Sequence, residues 1–202
     1  MEEQPSKKPK FNHFRSVCLL EKIISGGQTG ADQGGLEAGE VLNLNTGGTA
    51  PKGYITLDGP CPQLGNRFYL KELNCEDIPI DQMYVKRSKL NVDNSDGTIA
   101  FRLYSSPGTD CTIGYCLNRR WKSENLTLAT KYKPLLVLTD LSEEERKTNI
   151  KKIQNFLSDN KIKTLNVCGH REGKDTGFKS FSHVVKELLV DAILPKLHLF
   201  NE

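Results

Sequence analysis

The chain has 202 residues with a formal net charge of +3, and 37% of its residues are hydrophobic and 26% are charged. This length and composition suit one globular domain with a hydrophobic core. No apolar run approaches the ~20 residues that a membrane-spanning helix needs, and no signal-peptide pattern is present, so we expect a cytoplasmic protein without a membrane segment. The small net charge and the scattered basic residues argue against nucleic acid as the partner.

The first 20 residues are predicted to form a disordered, polar tail, followed by one ligand-binding domain over 21–202. The tail contains the basic run Lys7-Lys8-Pro9-Lys10, which is also the pattern of a nuclear import signal or of a contact with an acidic partner. A solvated tail and an import signal are compatible with each other, so both interpretations stay open.

The number and spacing of the cysteines also fit a cytoplasmic protein. The six cysteines include no C-x-x-C pair, and the two nearest in sequence, Cys111 and Cys116, have no histidine close to them. Free thiols are therefore expected rather than disulfides or a zinc site, and no structural metal is predicted.

Predicted strands and helices alternate along the chain. Short apolar runs predict strands at 21–25, 44–49, 98–103, 134–138 and 164–168. Apolar spacing predicts helices at 31–39, 110–121 and 178–194, and one that opens at Ser142 with a capping-box pattern and continues through Leu157. Residues 50–95 lack a long periodic segment and are predicted as a polar loop that serves a ligand or contains short elements. The alternation predicts an α/β fold, a Rossmann-like and mostly parallel sheet with helices on both faces.

The strand at 21–25 ends in a glycine-rich turn over residues 25–30, the first turn. Its adjacent glycines let the backbone approach a ligand, and the helix that follows offers free N–H groups and a positive dipole end to a phosphate. The turn is neither a Walker A motif nor G-x-G-x-x-G, so a plain glycine turn with an aspartate cap is the alternative. Its candidate binding residues are Gly26, Gly27, Gln28, Thr29, Gly30 and Asp32.

A second small-residue turn, residues 105–109, repeats this arrangement after the strand at 98–103. It contains Ser106, Gly108 and Thr109 directly before a predicted helix. The two hydroxyl groups can bind phosphate, although Thr109 or Asp110 can equally serve as the helix cap. Two such turns in one sheet favour a shared ligand, because the carboxyl ends of parallel strands meet at one edge.

Two further polar segments are assigned to the same edge. In residues 87–97, Arg87 can form a forked hydrogen bond with a phosphate. Asn91, Asp93 and Asp96 can contact a sugar or heterocycle, and an Asx-rich loop is the alternative. In residues 169–174, the basic side chains can form a cationic wall. His170 lies among them, and a lone histidine is more often structural than catalytic.

These motifs together resemble the molybdenum-cofactor carrier family, a branch of the Rossmann-like superfamily that includes the lonely-guy and DprA-type proteins. The matching segments are Ile23–Asp32, Gly47-Gly48 with Pro51-Lys52-Gly53, Tyr69–Glu72, Tyr84 with Arg87, Asn91–Gly97 and Leu165–Gly169. The resemblance implies a carrier or storage protein for a pterin-type or nucleotide-like phosphate ligand such as the molybdenum cofactor. It adds Lys52 and Ser95 to the candidate binding residues.

The sequence departs from that family at two places in the proposed ligand pocket. Ser106-Pro107-Gly108-Thr109 stands where the family usually has Gly-Gly-Ser/Thr, and His170 stands where it commonly has proline. The catalytic glutamate of the lonely-guy hydrolases has no counterpart, because no glutamate follows the second turn before Glu124. Nucleotide phosphoribohydrolysis by that route is therefore disfavoured.

Two classes of function stay open at this point. The first is a non-enzymatic carrier, which needs no activated nucleophile. The second is a nucleotide-processing hydrolase or transferase in which Asp32, Asp93 or Asp96 acts as acid or base and Arg87 stabilises charge. A phosphate-bearing small molecule is the expected partner in both classes, and assembly into a homo-oligomer is left open.

Overall fold

The computed structural model describes residues 19–75, 78–118 and 133–197. The strands are β1 (Lys22–Ile24), β2 (Asn45–Ala50), β3 (Ile55–Thr56), β4 (Gly59–Pro60), β5 (Leu70–Glu72), β6 (Gly97–Phe101), β7 (Leu135–Leu138) and β8 (Thr164–Gly169). The helices are α1 (Ala31–Val41), α2 (Gln63–Phe68), α3 (Ile80–Asp93), α4 (Pro107–Asn118), α5 (Arg146–Asp159) and α6 (Phe181–Leu197). The predicted tail lies outside the described residues up to position 18.

Six strands form one parallel sheet in the order β5-β2-β1-β8-β6-β7. The short, apolar β1 lies inside it, and Ile23 is opposite Thr46 of β2 on one side and Leu165 of β8 on the other. β3 and β4 form a separate antiparallel hairpin. The α/β fold with a mostly parallel sheet is therefore confirmed.

Helices cover both faces of the sheet. The chain steps from β1 to β2 in one direction and from β6 to β7 in the other, so right-handed crossovers put α1 and α4 on opposite faces. α5 and α6 pack on the α1 side, where they bury the large apolar cluster that includes Phe181, Leu189 and Ile193. α3 packs with α4 on the other side.

The ordered core begins before residue 21. Leu20 is 4% exposed and belongs to the main apolar cluster. The backbone N–H groups of Glu21 and Lys22 both donate to the carbonyl oxygen of Lys163, just ahead of β8. Leu20 is thus part of the packed protein, although its position in the sequence suggests the end of the tail.

The region 50–95 contains two helices, a sheet strand and the hairpin rather than one long loop. In particular, residues 87–93 are helical, so the interpretation of this segment as an Asx-rich loop is wrong. The physical reason lies in the buried face of α3, which is formed by Arg87, Asn91 and Val92. Because two of these three residues are polar, the helix has no apolar periodicity to reveal it.

Three predicted helix starts are also shifted, among them that of α6, which begins at Phe181 rather than at residue 178. α5 begins at Arg146, and the backbone N–H of Ser142 donates to Asp140 Oδ1 at 2.8 Å within a turn that precedes the helix. The capping box at Ser142 is therefore wrong. α4 begins three residues earlier than predicted, at Pro107, because proline suits the first helical position, where no N–H is needed. In the described part of the chain, no helix is long and apolar enough to cross a membrane.

Candidate ligand-binding cleft

A cleft of about 340 Å³ opens at the carboxyl edge of the sheet, a volume typical of small-molecule sites. It lies where β1, β8 and β6 are neighbours. The segments after β1 and β8 lead to helices on one face, whereas the segment after β6 leads to α4 on the other. The loops therefore diverge, and this divergence leaves a crevice in open parallel sheets. The lining residues are Gln28, Asp32, Asp81, Tyr84, Val85, Arg87, Ser88, Ser106, Pro107, Gly108, Thr109, Cys111, Thr112, Cys168, Gly169 and Arg171.

A buried ion pair forms part of the floor of the cleft. Arg87 Nη1 donates to Asp32 Oδ2 at 2.9 Å, and the two residues are only 9% and 3% exposed. The guanidinium group packs directly against Gly26, where any Cβ would overlap it. Arg87 Nε is buried and has no hydrogen-bond partner among the described residues. Arg87 thus lines the cleft with one buried donor that lacks a partner among the described residues.

The floor is electrostatically neutral as a whole. Burial raises the pKa of Asp32, and the adjacent Arg87 guanidinium opposes that rise. Beside the pair, the Cys168 thiol lines the cleft, and its burial raises its pKa well above 9.0. That thiol is therefore protonated at neutral pH. Nowhere in residues 19–75, 78–118 and 133–197 do three His, Cys, Asp or Glu side chains gather as a metal site.

In the first turn, several backbone N–H groups already have acceptors within the protein. Ala31 N–H, at the start of α1, donates to the carbonyl oxygen of His170 at 2.9 Å. The N–H of Gln28 donates to Asp32 Oδ2 at 3.2 Å, and that of Thr29 donates to Gln28 Oε1 at 3.0 Å. The Gln28 oxygen also accepts from Leu57 N–H of the β3–β4 hairpin at 2.7 Å. What Gln28 can offer a ligand is therefore its amide NH₂ group.

The second turn is more open. α4 starts at Pro107, so the N–H groups of Gly108 and Thr109 fall in a first helical turn, where intrahelical acceptors are missing. A Cβ on Gly108 would have no neighbour within 4 Å among the described residues. The backbone here can approach a ligand closely, and the Ser106 and Thr109 side chains lie on the same lining surface.

One carboxylate stands beside the second turn, but it is already neutralised. Asp110 Oδ1 accepts from Arg102 Nε at 2.5 Å, and Asp110 Oδ2 accepts from Ser105 Oγ at 2.7 Å and Ser106 N–H at 3.1 Å. The hydrogen bond from Arg102, followed by that from Ser105, lowers the pKa of Asp110 to about 2. Its charge is thus compensated before any ligand arrives.

Ten of the sixteen lining residues were not among the candidate residues predicted from the sequence, and two groups among them bear on ligand binding. Arg171, exposed and two residues after β8, brings a cation to the cleft, and its place in the Gly-His-Arg segment is the signal that pointed to it. Asp81, Tyr84, Val85 and Ser88 contribute a wall from α3. They were missed because the helix itself was not predicted.

Six candidates close to this edge do not line the cleft, and four of them are Gly26, Gly27, Thr29 and Gly30 of the first turn. Asn91 pins α3 to β2, since its Oδ1 accepts from Thr49 N–H at 2.7 Å and its Nδ2 donates to the Thr49 carbonyl oxygen at 3.1 Å. Lys52 is exposed in the short 3₁₀ turn Lys52–Tyr54.

Three more candidates lie at the amino edge of the sheet, opposite the cleft. Asp96 Oδ2 accepts from the N–H groups of Lys163 and Thr164 at 3.0 and 2.7 Å, at the start of β8. Ser95 Oγ donates to the Val92 carbonyl oxygen at 3.0 Å, and Asp93 accepts from Tyr115 at 3.3 Å. The assignment of this stretch to the cleft edge is corrected for a simple reason: residues just before a parallel strand lie at its amino end.

Comparison with known proteins agrees with this architecture. Residues 23–190 match the model of the circularly permutated YpsA SLOG family. The chain belongs to this family. Within it, the last strand of the chain, β8, lies beside the first, β1.

A solved structure with the same fold is the "Putative molybdenum carrier protein" from Syntrophus aciditrophicus SB. The two sequences are 27% identical, and the matched region covers 90% of the present chain and 97% of the Syntrophus chain. The TM-score between the two structures is 0.67. No curated protein matches the chain. The family resemblance seen in the motifs is thus confirmed, and with it the Rossmann-like sheet.

Proposed function

We propose that this chain binds a phosphate-bearing pterin or nucleotide-like molecule in the cleft and carries it without converting it. The observation that carries the proposal is Arg87. It lines a cleft of about 340 Å³, packs against Gly26 and donates to Asp32 through one nitrogen, and its buried Nε has no partner in the described part of the chain. A buried guanidinium donor without a partner is costly unless a ligand or water completes it.

The two ends of the cleft suit different parts of such a ligand. The floor pairs a carboxylate with a guanidinium, and the α3 wall adds Tyr84 and Val85, so this end suits a flat heterocycle with polar edges. The second turn offers first-turn N–H groups and the cation of Arg171, which suit a phosphate. The Asp32 carboxylate disfavours the reverse orientation.

The molybdenum cofactor fits this division, because it combines a pterin with a phosphate. The Arg87–Asp32 pair and the α3 wall would hold the pterin, and the second turn with Arg171 would hold the phosphate. The chain's own residues supply binding and orientation here, and the cofactor supplies the metal chemistry once it has been delivered. The name of the Syntrophus protein supports a carrier role of this kind.

A nucleotide-processing enzyme is the second candidate, and one observation favours it: Asp32 lines the cleft, and burial raises the pKa of its carboxyl group. Against it, Asp93 and Asp96 lie at the other edge of the sheet. Asp32 itself is engaged by Arg87, so the acid–base group and the charge-stabilising group of that mechanism are occupied with each other.

The test begins with the protein as purified from cells. Small molecules that co-purify are extracted and identified by mass spectrometry, and a pterin or nucleotide phosphate is expected. GMP is then titrated by calorimetry, because guanine shares the 2-amino-4-oxopyrimidine ring of pterins, with guanosine as the control that lacks phosphate. GMP should bind at least about tenfold more tightly than guanosine. Equal affinities would refute the phosphate site, and release of guanine or guanosine from GMP would favour the enzyme.

A further inference from the structure

His170 joins the two turns at the cleft through three hydrogen bonds. Its backbone N–H donates to the Phe101 carbonyl oxygen at 3.1 Å, and its carbonyl oxygen accepts from Ala31 N–H at 2.9 Å. Its ring nitrogen Nε2 accepts from Tyr104 N–H at 3.2 Å. The residue is 3% exposed. The end of β8, the start of α1 and the segment between β6 and α4 therefore all meet at this one residue.

The imidazole is held in a specific form and orientation. It stacks on Tyr104 with ring centroids 3.9 Å apart and an interplanar angle of 18°, and Phe181 of α6 lies 6.2 Å away. Because Nε2 accepts a hydrogen bond, the ring must be neutral and carry its proton on Nδ1. A proton on Nε2 would point at the Tyr104 N–H, which is also a donor. The Tyr104 N–H would then lose its acceptor.

We propose that His170 is a positioning residue for ligand binding: its neutral ring holds Tyr104, and through it the second turn, in the shape that accepts an anion, and protonation of the ring releases that turn. The choice of ligand rests on the proposed function above, whereas the coupling between the ring and the turn does not. The expected consequence is a chain that binds its anionic ligand well at neutral pH and loosens it in mildly acidic conditions.

The charged groups around the ring support this direction. Burial lowers the pKa of His170, Arg102 of the preceding segment lowers it further, and Asp110, which is paired with Arg102, opposes them. On α1 the first charged residue is Asp32, which is engaged by Arg87.

The remaining neighbours leave the ring without a second strong charge. The α6 side presents the apolar ring of Phe181, and the Glu172 carboxylate accepts from the N–H groups of Phe181 and Ser182 at the start of that helix. Arg171, the next residue along the chain, is exposed to solvent.

The sign of the pH effect follows. The pKa of His170 in the folded protein lies below its ordinary value of 6.5, so the folded arrangement prefers the neutral ring. The arrangement is intact above pH 6.5 and weakens as the pH falls from 6.5 to the lowered pKa. Below that pKa, no further change from this residue is expected.

Two variants distinguish the effect of protonating the His170 ring from the effect of its packing. His170→Gln keeps a side-chain acceptor but does not titrate, whereas His170→Phe keeps a flat ring but has no acceptor. GMP affinity is measured by calorimetry from pH 8.0 to 5.0 for the wild type and both variants. The phosphate of GMP titrates in this range too, but its contribution is common to all three proteins. Thermal melts confirm that each variant is folded.

Between pH 7.5 and 5.0, the wild type should lose about 2- to 12-fold more GMP affinity than His170→Gln, which is the worth of one hydrogen bond. At pH 7.5, His170→Phe should bind more weakly than wild type by a similar factor. Identical pH profiles for wild type and His170→Gln would overturn the proposal.

A readout without ligand keeps this inference separate from the proposed function. The ¹⁵N–¹H signal of Tyr104 in the wild-type protein should titrate with a midpoint below pH 6.5, together with the His170 ring. If GMP fails to bind at any pH, the proposed ligand class is wrong, yet this titration still tests the coupling. A Tyr104 amide signal that does not respond between pH 7.5 and 5.0 would overturn the role of His170.

Discussion

The first and second turns have the same local sequence logic, a strand followed by small residues and a helix, yet the structure uses them differently. In the first turn, N–H groups donate to Asp32, Gln28 and His170. In the second, the Ser106 N–H donates to Asp110, whereas the start of α4 faces the cleft and a Cβ on Gly108 would meet nothing within 4 Å among the described residues. A glycine turn before a helix therefore indicates a ligand site only when its donors are not already consumed by the protein.

This contrast assigns a role in folding to the first turn and a role in anion binding to the second. The largest expected effect concerns the Arg87–Asp32 pair beside the first turn. Arg87→Met removes the partner of a carboxylate that is 3% exposed, and breaking such a pair costs about 3–5 kcal/mol of the free energy of unfolding. The double variant Asp32→Asn/Arg87→Met leaves no buried charge and should recover most of this loss. Urea denaturation of both variants and the wild type measures it, and equal losses in the two variants would contradict the role of the pair.

The single variant Arg87→Met should also change how the stability of the protein depends on pH. Without Arg87, burial remains the largest influence on Asp32 and holds its pKa above the ordinary value of 3.8, opposed only by hydrogen bonds from Gln28 and Ser25. Protonation then favours the folded state, so this destabilisation is full at high pH and fades as the pH falls through the raised pKa. The gap in stability between wild type and Arg87→Met should therefore narrow from about pH 7 to about pH 4.

A matched pair of glycine substitutions sharpens the contrast directly. Gly30 has a φ of +81°, and a Cβ there would overlap the carbonyl oxygen of His170, so Gly30→Ala should cost at least about 1–3 kcal/mol of stability. Gly108→Ala should change stability by less than about 0.5 kcal/mol but weaken GMP binding, because its methyl group points into the space beside the second turn. Thermal melts and calorimetry report the two effects. Stability losses of the same size at both positions would show that the turns are equivalent after all.

A substitution at Arg171 tests the part of the cleft that we propose binds the phosphate, and its expected effect is smaller. Arg171→Ala should weaken GMP binding about tenfold, the lower end for a charge-assisted hydrogen bond, and the loss should shrink with added salt. Lys52→Ala is the matched control, since Lys52 is exposed and does not line the cleft. If both variants lose affinity equally, the effect comes from net charge rather than from the cleft.

The smallest expected effect concerns Asp110. Its pKa of about 2 lies below the ordinary 3.8, so its contribution to stability is present above about pH 4 and is lost as the pH falls to about 2. Wild type should therefore lose more thermal stability than Asp110→Asn between pH 5 and pH 2.5. Parallel melting curves would indicate that the contact between Arg102 and Asp110 contributes nothing in solution.

Much of the sheet could be predicted because its strands are short apolar runs that end in glycine or polar residues. Ile23-Ile24 and the run from Leu165 to Cys168 are examples, and both lie where two neighbouring strands bury them. α3 could not be predicted in this way, since the residues it buries are mainly polar: Arg87 in its ion pair and Asn91 on the β2 backbone.

The candidate site was predicted in part. Gln28, Asp32, Arg87 and the second turn do line one cleft, because each follows a strand or lies on a helix that begins at the carboxyl edge. Asp96 shows the limit: its side chain accepts from backbone N–H groups at the start of β8, at the other end of the sheet. Sequence shows that a residue is polar, but which sheet edge it reaches depends on whether it precedes or follows its strand.

The position of β8 has a consequence for how the protein forms. β8 is the last strand in sequence, yet it lies between β1 and β6, so the middle of the sheet needs both the start and the end of the chain. During synthesis β1 and β6 can be joined into one sheet only after β8 has been made, and such long-range pairing makes folding slow. A chain shortened before Thr164 would lack β8 and α6 together with Gly169, His170 and Arg171. The capacity to bind therefore arises only once β8 and the residues after it have been made, and a product truncated before them would expose apolar sheet without acquiring a cleft.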